Sequence, residues 1–392
     1  MKRFIRFLKL GFICGSIVAS WPQPVSAQID INREAAPGGT KPIWVSLSGL
    51  TGEASQVLQF DLYVQGFNFT NSEGAQYLIS GSNNGNLTAQ AKDKFTKQLL
   101  VNKAYSGGSL RRQTHAFADE FVQALQRKPI CQTKIAFRGE NGRNSEICVA
   151  DFDGHNAQPV TKDNNLAVSP CFVPGRLALY YTSYRLNNPD IYYHDLSTGA
   201  RKIFARYGGS NMSPAPSPSG GQVAMILSKD GWTDLYVGNA DGSAPKRLTK
   251  SPQDESSPCW SPDGQWICYA SKEKERRSLS KIRPSGGEPQ RIATTGTPSP
   301  TEPEWSPDGK WIVFTTLFRN FAICVVPATG GQATILVEGE DASWAPNSRT
   351  VIFTRRQGGQ RVLSLLDVMT KQMKDVSRIS GTSSQSQPSW AK

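Results

Sequence analysis

The sequence predicts a mostly β protein, a six-bladed β-propeller at the C-terminal side of a small α/β domain. The first observation is a repeat downstream of residue 130. Ser257-Pro-Cys-Trp-Ser-Pro-Asp-Gly264 is followed by Glu302-Pro-Glu-Trp-Ser-Pro-Asp-Gly309, with weaker copies at 169–175, 213–220 and 342–347 and a truncated one at 387–391. Their aromatic-equivalent positions, 172, 216, 260, 305, 344 and 390, are separated by 44, 44, 45, 39 and 46 residues. A period near 44 holding four short strands marks a ring of blades that bury their sheets against one another. The second observation is how the repeat ends. Second-strand segments begin near Lys134, Leu177, Gln222, Trp266, Trp311 and Val351; the first lacks a motif before it, and the last motif lacks a strand after it. A strand near Ser389-Trp390 is therefore expected to complete the blade that begins at Lys134, leaving no exposed sheet edge. The third is composition. With 35 Gly, 25 Pro, 9 Trp and 38% hydrophobic residues in 392, many short elements joined by turns are expected. A mean hydropathy of −0.42 excludes a polytopic membrane protein, and 17 Phe with 11 Tyr exclude a disordered chain.

Taken in order, the chain opens with Lys2, Arg3, Arg6 and Lys9, an apolar run from Leu8 to Ala19, and Val25-Ser-Ala27. This is the pattern of an export signal over residues 1–27 cleaved after Ala27. Trp21-Pro-Gln-Pro24 cuts the apolar run too short for a membrane anchor. The signal carries a third of the +12 net charge, so the remaining chain is only mildly basic. The one dense basic run, Lys272–Arg277, includes two Glu and reads as a solvated hairpin tip. No nucleic-acid partner is expected.

Residues 28–40 are polar, end in Pro-Gly-Gly-Thr and read as a mobile arm. Residues 41–129 read as the α/β domain. Pro42–Ser46 is a strand, and Thr51 caps a helix carrying Val57, Leu58 and Asp61. Ala75–Ser80 and Asn86–Ala91 are strands paired around a Gly-Asn turn, followed by another strand near Gln98. Arg111–Lys128 places Phe117, Phe121 and Leu125 on one helical face and is stopped by Pro129. The propeller occupies 130–392.

Within the repeat, Pro presets φ at the corner, Asp caps its own turn and Gly takes the conformation other residues resist. Asp263 and Asp308 are read as turn formers rather than catalytic acids. Six cysteines follow the signal. Cys148 and Cys324 sit in strand-like apolar runs, and Cys171 and Cys259 share a Ser-Pro-Cys-aromatic context, so buried thiols are expected. Cys259 and Cys268 flank Ser261–Gly264 symmetrically and can face each other across a hairpin, which leaves a disulfide open. No C-x-x-C pair occurs and the three His are scattered, which argues against zinc.

Signal, α/β domain and Ser-Pro-Asp-Gly propeller together resemble the TolB family, periplasmic components of the Tol–Pal system. The likeness extends to Thr114-His-Ala-Phe-Ala-Asp119, Lys134-Ile-Ala-Phe, Val149-Ala-Asp-Phe-Asp-Gly-His155, and Ile29-Asp-Ile31 followed by Lys41-Pro-Ile43. The chain departs from the family in a shortened connection between Phe67 and Gly74, and in Pro216 and Ser219 where an aromatic and Asp are usual. The resemblance implies a non-enzymatic, monomeric periplasmic scaffold without cofactor or metal, supporting outer-membrane integrity and constriction during cell division. It implies that the propeller binds the peptidoglycan-associated lipoprotein Pal and that the arm, through Ile29, Asp30 and Ile31, binds TolA. A strand added to a partner's sheet edge would suit so short an arm. Ser256, Thr301 and Glu302 match the family's partner-facing loop pattern. Ser210, Arg185 and Trp232, on neighbouring loops, join them as candidate contacts, since Arg and Trp often anchor interfaces.

Two other readings compete. Propeller peptidases use similar blades, but this chain has no G-x-S-x-G elbow, its α/β segment is too small for a hydrolase domain, and His115, His155 and His194 lie in no triad context. His115 is read as a packed helix residue. A glycosidase using two carboxylates is left open, because their separation is a structural quantity. A sugar- or peptidoglycan-binding module is the third reading.

Overall fold

The computed structural model describes residues 37–392 apart from 251, 377, 378 and 380. The export signal, Ala27, and the arm residues Ile29, Asp30 and Ile31 lie outside the described residues. The end of the segment read as a mobile arm is held in place: Gly38 N–H donates to Val368 O at 2.9 Å and Thr40 N–H to Met369 O at 3.1 Å.

The small domain comprises β1 (Ile43–Ser48), α1 (Gly52–Tyr63), β2 (Phe67–Phe69), β3 (Tyr77–Ser82), β4 (Thr88–Asp93), β5 (Leu99–Ala104) and α2 (Leu110–Ala124). Its sheet runs β2-β1-β3-β4-β5, with β1 parallel to both neighbours and the rest antiparallel. The period-2 strands bury Val45, Ile79, Ala89, Ala91 and Val101, while α2 buries Phe117 and Phe121 four residues apart. Ser109 caps α2 by accepting the Arg112 N–H at 3.3 Å. The helix ends before Pro129 because Gln126 already takes a left-handed φ of 57°. Thr51 stands at the N-cap of α1, but its side chain makes no capping bond; its hydroxyl donates instead to Asn83 Oδ1 at 3.4 Å.

The rest is a ring of six four-stranded antiparallel blades. Blade 1 joins the chain ends: its inner strand is Ser384–Trp390, paired antiparallel with Lys134–Asn141. The inner strands of blades 2 to 6 are Ala167–Phe172, Asn211–Pro216, Asp254–Trp260, Thr301–Trp305 and Glu340–Trp344. Each corner behaves as its chemistry dictates. Asp263 Oδ1 accepts from the Ser261 hydroxyl and the Gln265 N–H, and Asp308 does the same with Ser306 and Lys310. Gly264 and Gly309 take φ of 69° and 77°.

The small domain rests on the face made by these corners and the third-to-fourth-strand connections of blades 6 and 1. Thr350 Oγ1 donates to Val64 O at 3.0 Å and Gln372 Nε2 to Phe67 O at 2.7 Å. One hydrophobic cluster runs from α1 and α2 through Phe152 and Trp390 into blades 6 and 1. At this junction His115, on α2, lies with Nδ1 2.7 Å from Asp61 of α1 and Nε2 3.3 Å from Asp153 of the blade 1 connection. Arg111 Nε donates to the same Asp153 carboxylate at 2.9 Å. His115 is buried as expected of a packed helix residue, yet it has charged partners, which sequence reading missed because they lie 54 and 38 positions away.

Candidate functional site

Blade topology puts the second-to-third-strand hairpins and the inter-blade crossings on the face opposite the small domain, around the mouth of a central channel. The channel encloses about 510 Å³ between the inner strands. Its lining runs from the corner residues Pro174, Pro218, Pro262 and Pro307 to six residues at the end away from the small domain, its mouth: Ser169, Ser213, Ser257, Glu302, Asp341 and Gln387, one per blade. These six have left-handed φ between 50° and 57°, and all sit at a register shift of the inner strand. Each is a β-bulge, which leaves its own N–H without a ladder partner. Proline follows in five of the six, where its missing N–H costs nothing at a bulge.

The bulged N–H groups are satisfied unevenly around the ring. Asp341 N–H donates to Glu302 Oε2 at 3.1 Å, Gln387 N–H to Asp341 Oδ2 at 3.3 Å, and Ser169 N–H to Gln387 Oε1 at 3.0 Å. A second tier two residues deeper repeats the pattern. Trp344 N–H donates to Glu304 Oε1 at 3.1 Å, Trp390 N–H to Ser343 Oγ at 3.1 Å and Phe172 N–H to Ser389 Oγ at 3.2 Å. Lys392 also pairs with Glu304. Blades 5, 6, 1 and 2 are thus stitched side chain to backbone. At the equivalent slots of blades 2 to 4 stand Ser169, Ser213 and Ser257, which line the channel.

Burial pushes the Glu302 carboxyl above the ordinary range, against the Thr315 hydrogen bond that lowers it. Burial also pushes Asp341 well up, and the Glu302 and Glu340 charges add to it. A glycosidase pairs one carboxyl of raised pKa with one that stays ionised, whereas here both are raised. Here each carboxylate accepts a backbone N–H from the next blade, which is a structural duty. Among the described residues no three His, Cys, Asp or Glu gather to hold a metal ion.

The expected contact residues fall around this mouth in two classes. Ser256, Thr301 and Glu302 belong to inner strands, correcting their reading as loop residues; Glu302 is itself a bulge. Ser210 precedes the blade 3 inner strand, and its N–H donates to Ser228 Oγ at 2.7 Å. Arg185 and Trp232 project from the hairpins of blades 2 and 3, with Trp232 51% exposed. Arg185 lies 3.9 Å from Asp163, whose carboxylate also accepts from Arg201 at 3.0 Å. Asp341 and Gln387 were not singled out from sequence; their signal is position, since each occupies the slot of the repeated Ser before Pro. A separate cleft between blades 5 and 6 on the same face is lined by Leu317, Arg319, Phe321, Glu338 and Arg356.

Comparison with known proteins agrees with this architecture. The model for the TolB beta propeller domain matches residues 123–392. The chain belongs to the TolB propeller family. The Tol-Pal system protein TolB of Bordetella pertussis is 29% identical over 306 residues, covering 75% of this chain and 70% of that protein. The protein of the same name from Bordetella bronchiseptica is also 29% identical, covering 75% and 69%. The crystal structure of TolB from Acinetobacter baumannii superposes with a TM-score of 0.80 at 21% identity, over 91% of this chain and 98% of that one. The small domain and the propeller are therefore both features of the TolB fold.

Proposed function

We propose that the protein is an exported component of a Tol–Pal system and acts as a non-enzymatic periplasmic scaffold. A Pal-like outer-membrane lipoprotein docks over the channel mouth, and a TolA-like inner-membrane protein takes the arm of residues 28–39. Membership of the TolB propeller family carries this reading. The free face supports it, because a rigid ring presents hairpins and crossings as a preformed concave surface. Trp232 and Arg185 offer the residue types that concentrate interface energy. The support of outer-membrane integrity and constriction during division follows from linking the two envelope proteins.

The test is a pulldown from envelope extract with the protein and with a version lacking residues 28–39, bound proteins being identified by mass spectrometry. A Pal-like lipoprotein retained by both and a TolA-like protein retained only by the first are expected. Trp232→Ala should reduce lipoprotein retention about tenfold or more, as for an interface hot spot, with an unchanged melt. Retention of neither envelope protein by the intact arm and propeller overturns the scaffold reading.

A further inference from the structure

Blade 4 differs from the other five at one register position. The residue two beyond each bulge faces a residue of the second strand, and the pairs are Cys171–Tyr180, Ala215–Ala224, Glu304–Val313, Ser343–Ile352 and Ser389–Ala136. In blade 4 the pair is Cys259–Cys268. Directly opposed residues share one face of the sheet, with Cα atoms roughly 4.5–5.5 Å apart, inside the span a disulfide requires. Both side chains join the apolar cluster with Trp305, Ile312, Phe314 and Cys324 that packs blade 4 against blade 5. The other cysteines have no such mate: Cys148 opposes Phe137 and Cys324 opposes Phe314 in their ladders.

We infer that Cys259 and Cys268 are a thiol–disulfide site, closed by a small disulfide donor that enters through the central channel. The two thiols differ in access. Cys259 borders the channel and is 9% exposed, whereas Cys268 is fully buried. Burial, then the neighbouring Cys259, pushes the Cys268 thiol well above its ordinary range. The order of steps follows. The Cys259 thiolate attacks one sulfur of oxidised glutathione, forming a mixed disulfide and expelling one glutathione thiolate, which takes up a proton. Cys268 then loses its proton and attacks Cys259 Sγ, forming the protein disulfide and releasing the second glutathione. Two protein thiols are oxidised, one glutathione disulfide is reduced, and two protons pass to the departing thiolates. The product is a staple between the inner two strands of the blade that carries Ser256 at the channel mouth. It is chemistry of this chain's own residues and does not depend on which partner docks there.

The folded protein, reduced and then equilibrated with oxidised glutathione at about pH 8, is read by intact mass and peptide mapping. The expected result is a loss of about 2 Da, the two hydrogens of one disulfide, and a linked peptide containing Cys259 and Cys268. Cys268→Ser should trap a glutathione adduct on Cys259, and Cys171→Ser should still form the staple. A wild-type protein that stays fully reduced, gains only glutathione adducts, or links these cysteines only in denaturant overturns the inference. Partner retention is unaffected by any of these outcomes, so failure here is separable from failure of the scaffold reading.

Discussion

His115 shows how one buried side chain sets the pH response of the junction. Burial pushes the Asp61 carboxyl up to about 6, against the lowering pull of His115. For His115 burial opposes the cation, but the Asp153 and Asp61 carboxylates outweigh it and hold its pKa up at about 10. Asp153 stays well below the usual carboxylate range: burial raises it, but His115, Arg111 and the His155 N–H together prevail. His115 therefore binds its proton more tightly folded than unfolded. Its stabilisation is complete below about pH 6.5 and is lost as pH rises through about 10. The Asp61 shift has the same sign, its contribution being present below 3.8 and lost as pH rises through about 6. His115→Gln leaves the buried Asp61 carboxylate without its cationic partner and Asp153 with Arg111, and is expected to cost about 3 kcal/mol at pH 7. Urea melts across pH 6.5–10 should show wild-type stability falling and the variant nearly flat; parallel slopes would show that the proton on His115 is not held by this network.

At the scale of the strand, the inner-strand bulge explains both what the sequence discloses and what it hides. The Trp-Ser-Pro-Asp-Gly corner is local chemistry, so blade number, spacing and the helical face of Phe117 and Phe121 could be read directly. The bulge is non-local. Ser256-Ser257-Pro258 and Thr301-Glu302-Pro303 read as loops because a left-handed residue before proline resembles a turn, yet the ladder resumes two residues later at Cys259↔Cys268 and Glu304↔Val313. The three-residue β2 was missed because Phe67–Phe69 is too short to show alternation. The stitching of the mouth depends on which side chain fills a slot where Ser, Glu, Asp and Gln all occur, so only three-dimensional neighbours reveal it. Gln387→Ala removes the acceptor of the part-buried Ser169 N–H and should destabilise by about 1 kcal/mol, the net worth of a hydrogen bond. Ser213→Ala, at the equivalent slot of blade 3, should fall within about 0.5 kcal/mol of wild type. Equal chemical-denaturation midpoints for the two variants would refute the unequal stitching.

Across the whole molecule, ring closure and domain docking meet in one residue. The Trp390 side chain is buried where the C-terminal strand pairs with Lys134–Asn141, and its indole N–H donates to Thr133 Oγ1 at 2.7 Å in the link from the small domain. Its ring lies 6.3 Å from Phe152, which is 6.0 Å from Phe60 of α1 and 5.5 Å from His115 of α2. Opening the ring at this strand therefore also uncovers the small domain's footing, so the described residues should unfold as one cooperative unit rather than propeller first. Trp390→Ala removes a large buried side chain at a cost of about 3–5 kcal/mol, a shift of roughly 4–7 °C for a cooperative unit of this size. Deleting residues 387–392 adds the loss of the Gln387, Ser389 and Lys392 stitches and should lower the melting temperature further. Circular dichroism in the far and near ultraviolet should report the same lowered midpoint for each variant. A deletion that leaves the melt unchanged would sink the closure, and a small-domain transition that stays at the wild-type temperature would sink the coupling.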